Sequence, residues 1–140
     1  AGTSRMRDVV PAGEPTDAAT AAGVTATVRE LVACFNAGEL LRAYGLYTPR
    51  YLGSLLSRQA QFGRAAYDSL ATPMPANPEE RAAILGIENV RVLPDGRIGA
   101  TVTIAYKVIP MPKRFYFTFA RDGDDWRIDG VLGEISFSVP

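Results

Sequence analysis

The chain contains no histidine. That removes the side chain most used for proton transfer near neutral pH, and with it the commonest metal ligand. It has a single cysteine, Cys34, so a Ser–His–Asp triad, a Cys–His pair, a Cys/His zinc site and an intrachain disulfide are all excluded. Neither sign of charge is in excess, since fifteen acids balance fifteen bases. Nucleic-acid binders carry a clustered basic surplus, because neutralising phosphates and releasing counterions supplies most of their affinity; no nucleic-acid partner is expected here. Lysine is scarce, with only Lys107 and Lys113, and the preference for arginine reads as coding bias. No apolar run approaches the roughly 18 to 20 residues that cross a bilayer, so no integral membrane segment is expected. The glycines lack phosphate-binding spacing, and Asp122, Gly123, Asp124 and Asp125 lack the ligand spacing and terminal Glu of a calcium loop. No metal and no cofactor are expected.

What is present describes one globular domain. The 140 residues are 47% hydrophobic and 21% charged, enough to bury a single core. Residues 1–15, rich in Gly, Pro, Ser and Thr, read as a flexible tether, and residues 16–140 as the domain. The tether fits either the remnant of a removed signal peptide or vector-derived residues ahead of a true start at Met6. The first reading is adopted: exported or cell-envelope associated, with cytoplasmic as the alternative.

The pattern from Thr16 is helical. Val24, Val28, Leu31, Val32 and Phe35 fall on one stripe of a 3.6-residue helix, started by Thr16 or Thr20 and closed by Gly38 as a left-handed cap. A second helix is predicted over residues 39–47, with Leu40, Leu41, Tyr44 and Tyr47 inward. Thr48 and Pro49 supply an N-cap and a first helical residue for a third, over residues 49–58, carrying Tyr51, Leu52, Leu55 and Leu56. Residues 62–70 read as a further turn or two, and Pro73, Pro75 and Pro78 as a stiff loop.

After that loop the period becomes two. Four long strands are predicted over residues 84–93, 98–107, 113–121 and 126–135, separated by turns at Pro94-Asp95-Gly96, at Pro110 to Pro112 and at Asp122 to Asp125. Short turns between consecutive strands imply an antiparallel meander, and helices grouped before it imply an α+β domain with the helices packed on one face of a curved sheet.

Three stretches carry a resemblance: Phe35-Asn36-Ala37-Gly38-Glu39 between the first two helices, Leu46-Tyr47-Thr48-Pro49 opening the third, and Gly123-Asp124-Asp125-Trp126-Arg127-Ile128-Asp129 entering the last long strand. With the order of elements, they make the chain similar to the nuclear transport factor 2-like superfamily, the SnoaL-like and ketosteroid isomerase-like cone with a cystatin-like fold. The resemblance covers roughly residues 16–135. It implies a conical domain, a pocket between helices and sheet, and a homodimer through the outer sheet face. It is nearly silent on activity, because this fold hosts many functions. Ketosteroid isomerases of the superfamily use an Asp base with a Tyr-plus-Asp oxyanion hole, and scytalone dehydratases depend on His. Neither set maps onto this chain.

The residues expected to line the pocket are Phe35, Tyr44, Tyr47, Tyr51, Phe62, Tyr106, Phe117 and Trp126, all of which serve equally as core. Glu134 and Asp129 are the weak catalytic candidates. Simple alternation places Glu134 on one face with Trp126, Ile128 and Leu132, where desolvation would raise its pKa; a β-bulge would reverse its direction. Asp129 falls on the other face with Arg127 and Val131, suited to a dimer surface or a surface ion pair. That second face, with Arg91, Thr101, Thr103, Tyr116 and Thr118, suits a partly polar interface. Cys34, with no basic neighbour, reads as an inert core residue, and Arg42, Arg50, Arg58 and Arg64 as a solvated set.

Two functions follow. The first is a non-catalytic domain that dimerises and binds a small apolar ligand or a protein partner in its cone. The second is a cofactor-free isomerase, dehydratase or cyclase acting on a hydrophobic ring substrate, with Glu134 or Asp129 as acid/base and Tyr44, Tyr47 or Tyr106 as donor.

Overall fold

A computed structural model describes residues 14–57 and 72–134. The first long element is α1, Ala18–Ala37. Its N-cap is Asp17, whose carboxylate accepts from the Thr20 N–H at 2.7 Å, a stronger acceptor than either threonine the sequence offers. Its end is the expected one. Gly38 sits at φ 70°, and the Glu39 N–H returns to the Cys34 carbonyl at 2.9 Å. At 20 residues α1 is long and apolar enough, by length and composition, to cross a membrane. Yet it buries Val24, Val28, Leu31 and Val32 against the sheet, as a core helix does.

The second helix, α2, is only Leu40–Tyr44, shorter than its hydrophobic pattern predicts. Past Gly45 the backbone leaves the helix for a sheet partner: the Ile128 N–H donates to the Leu46 carbonyl, and the Thr48 N–H to the Ile128 carbonyl, both at 2.8 Å. Tyr47 thus forms a parallel bridge with Ile128. Helix α3, Pro49–Ser57, follows as expected. The turn or two expected over residues 62–70 lies outside the described residues. After the proline loop a short 3₁₀ turn, Pro78–Glu80, leads into the sheet.

That entry is clamped. The Asn36 side chain, at the end of α1, accepts from the Ala82 N–H at 2.8 Å and donates to the Ala82 carbonyl at 2.9 Å, imitating a peptide group and fixing the helix end to the first long strand.

The sheet is antiparallel throughout and runs in chain order, β1 to β5: Glu14–Pro15, Ala82–Val92, Ile98–Tyr106, Lys113–Asp122 and Asp125–Glu134. The four long strands are those the alternation predicts. The fifth is a correction, since Glu14 and Pro15, assigned to the tether, pair with Val92 and Arg91 at the edge of β2. Strand β2, which β1 covers at Val92 and Arg91, is irregular between Ile84 and Gly86 and again between Glu88 and Arg91, a break that discourages edge-to-edge pairing.

One face of the sheet holds Ile98, Ala100, Val102 and Ile104 of β3, Phe117 and Phe119 of β4, and Ile128 of β5, all buried against the α1 stripe. Register explains the rows: Ile98 opposes Phe119, which opposes Ile128, and Ala100 opposes Phe117, which opposes Val131. Two bulges interrupt β5. Asp129 is the extra residue between the Ile128 and Gly130 pairs, and Gly133 the extra one between the Leu132 and Glu134 pairs. Simple alternation therefore fails along this strand. Val131, expected outward, packs on the core. Leu132, expected inward, opposes Tyr116 and is exposed.

Candidate functional site

Three expected pocket residues come together. Tyr44, Tyr47 and Tyr51 form a short aromatic series, with centroids 6.0 Å apart for the first pair and 5.4 Å, edge to face, for the second. The bridge to Ile128 holds Tyr47 on the core side, where it is buried. Burial first, and the neighbouring Tyr51 and Tyr44 second, push its pKa up to about 12, so it is a neutral hydroxyl at any physiological pH. Tyr51, Leu52 and Leu55 of α3 lie against the core without being fully covered, and so do Phe115 and Val131 of the sheet. Helix α3 has no buried residue at all, although its apolar residues share one side.

The other pocket candidates separate. Phe117 is buried in the sheet face and stacks on Phe119 at 6.0 Å. Trp126 is pinned at one end of the sheet. Gly23 of α1 leaves room for its ring, the Thr27 hydroxyl donates to its carbonyl at 2.7 Å, and the Arg121 guanidinium lies 5.5 Å from its ring centre. Tyr106 ends β3, eight residues from the Ile98 row that Tyr47 joins, or about 26 Å of extended chain. Phe35 belongs to the α1 stripe by angle but stands in its last turn, where the chain leaves at Gly38, and it is exposed. Phe62 lies outside the described residues, as do Arg58 and Arg64.

Of the two carboxylates, Glu134 pairs by backbone register with Phe115, and its side chain lies outside what the structure describes. Asp129 is well placed, though not on a bare surface. It is 7% exposed, turned away from the core by its bulge and tied to three donors. The Thr48 hydroxyl donates to Oδ1 at 2.7 Å, and Arg50 and Arg97 donate to Oδ2 at 2.7 and 3.2 Å. The bulge also frees the Asp129 carbonyl, which accepts from Arg50 at 3.0 Å. Arg97 is itself held by Asp95 at 2.7 Å. Burial pushes the Asp129 pKa up, but the bonds from Arg50, Thr48 and Arg97 outweigh it and hold it below the usual carboxylate value. A general base working near neutrality needs the opposite shift. This carboxylate is a fastening between α3, the β2–β3 turn and β5.

The outer sheet face is less open than the alternation implies. Thr101 and Tyr116, expected on a dimer surface, are buried within the chain itself. The Tyr116 ring lies across Gly99, where any Cβ would overlap it, and its hydroxyl has no hydrogen-bond partner among the described residues. Burial raises its pKa accordingly. Tyr116→Phe is therefore expected to leave stability unchanged or raise it by up to about 1 kcal/mol, read as the urea midpoint at constant m. A loss greater than that would show that the hydroxyl has a partner.

Cys34 is buried, and burial pushes its thiol pKa up, the state of an inert core residue. Among the described residues no group of three or more acidic or sulfur ligands could hold a metal. Sequence reasoning missed Thr48, Arg50 and Arg97 as partners of Asp129. The available signal was the row of small residues Gly99, Thr118 and Gly130, which leaves space on that face for long side chains to cross.

Comparison with protein-family models, with curated proteins and with solved structures gives no match for this chain.

Proposed function

We propose that this is a non-catalytic binding domain of the nuclear transport factor 2-like kind, which takes a small apolar molecule between α3 and the inner sheet face and forms a homodimer. The observation that carries the reading is α3: an amphipathic helix whose Tyr51, Leu52 and Leu55 rest against the core yet stay partly uncovered. Apolar side chains left half-wet beside a tyrosine series suit a ligand that removes them from water. Tyr44 and Tyr51 supply hydroxyls for orienting one polar atom of it. The dimer contact would use what the outer face leaves exposed, Leu132 above all. The enzyme alternative needs a carboxylate poised near neutrality, and Asp129, one of its two candidates, is held ionised by Arg50, Thr48 and Arg97.

Native mass spectrometry of the purified full chain tests both parts at once. The expected spectrum is a dimer carrying an apolar adduct, with Leu55→Trp filling the space and abolishing the adduct while circular dichroism stays unchanged. A bare monomer that also fails to bind a fluorescent apolar probe saturably would overturn the proposal.

A further inference from the structure

The turn between β3 and β4 has a composition found nowhere else in the chain. It reads Lys107-Val108-Ile109-Pro110-Met111-Pro112-Lys113, an apolar tip bracketed by the only two lysines. Val108 is 62% and Met111 71% exposed. Pro110 and Pro112 are exposed as well, and Ile109 is half-buried. From Gly96 to Arg121 the sequence holds five bases and no acid, whereas the rest of the chain holds ten bases and fifteen acids, so the positive charge of the hairpin stands against a net negative remainder.

We propose that this hairpin tip is a peripheral attachment site for an anionic lipid surface, with Val108, Pro110 and Met111 entering the headgroup–acyl boundary and Lys107 meeting lipid phosphates. Three physical features favour this occupant. Apolar side chains gain by leaving water for the boundary, and basic residues beside them gain from the negative surface potential. The two prolines lack backbone N–H groups, which lowers the number of donors that must be desolvated on entry. Lys107 at the base can bury its stem and keep its ammonium group among the phosphates. A protein partner fits less well, because protein contacts favour Tyr, Trp and Arg at their centres and disfavour Lys, and no aromatic residue stands between Lys107 and Lys113. This site does not depend on any ligand at α3.

Co-sedimentation of the full chain with vesicles of phosphatidylcholine, with and without phosphatidylglycerol, tests it. The expected result is binding to the anionic vesicles that weakens as salt is raised. Lys107→Gln should weaken that binding about fivefold. The pair V108D/M111D, at exposed positions and so harmless to folding, should weaken it tenfold or more. A full chain that stays in the supernatant with anionic vesicles overturns the proposal. So does unchanged binding by the V108D/M111D variant, or a tip variant that instead shifts the oligomeric mass, which would make the tip a contact between chains.

Discussion

Phe119→Ala is expected to lower the free energy of unfolding by about 4 kcal/mol, the middle of the range for truncating a buried aromatic. Phe119 is 0% exposed and is the middle member of the row that joins Ile98 in β3 to Ile128 in β5. Its removal empties the point where the α1 stripe meets the sheet, and a centre closed on all sides relaxes little. Against a typical domain stability of about 5 to 15 kcal/mol, that is enough to unfold a large fraction of the protein at modest urea concentration. Phe115→Ala, at a half-buried position of the same strand, should cost clearly less. Urea titrations with unchanged m-values decide the matter. Equal losses at the two positions would mean that the core is not centred on the Phe119 row.

Asp129→Ala should cost about 3 kcal/mol, near the lower end of what breaking a buried ion pair costs. The lower end applies because Arg50 is mostly exposed and can be rehydrated, while Arg97 keeps Asp95. Asp129→Asn preserves the shape and should lose less. The pH dependence has a definite sign. The folded pKa of Asp129 lies below its unfolded value, so the stabilisation is fully present above the ordinary carboxylate pKa, near pH 4, and is lost as pH falls through the lower folded value. In Asp129→Asn that part of the acid limb should disappear, leaving a flatter stability profile below about pH 4. A variant that retains the wild-type acid slope would show that other carboxylates govern it.

Much of the architecture was legible, because it rests on periodicity. Val24, Val28, Leu31 and Val32 declare a helix face, and Ile98 to Ile104 declare a strand face, through spacing alone. Gly38 announced its helix end because a left-handed residue is needed there. What spacing could not show was competition for backbone hydrogen bonds and changes of count along a strand. Tyr47 has the pattern of a helical residue, yet a strand edge at Ile128, distant in sequence, takes its backbone. Asp129 has the pattern of a surface residue, yet the extra residue in β5 and two arginines from other elements enclose it. The candidate site was legible as a set of tyrosines and not as a place. Tyr44, Tyr47 and Tyr51 meet because a bridge aligns them, whereas Tyr106 shares their chemistry and lies at the far end of its strand.

The bulge at Asp129 gives β5 an unusual sensitivity to length. Strand side chains keep time in twos, so one supernumerary residue acts as a half-step, and everything after it is read in the opposite phase. Deleting Asp129 would close the bulge and leave Ile128, Gly130 and Val131 opposite Phe119, Thr118 and Phe117, each facing as it does now, while stranding the Arg50 and Arg97 guanidinium groups together. Removing Asp129 and Gly130 together would instead turn Val131 out to solvent and swing Leu132 into the interior. A loss of one residue here costs the strand its fastening, and a loss of two costs it its core face.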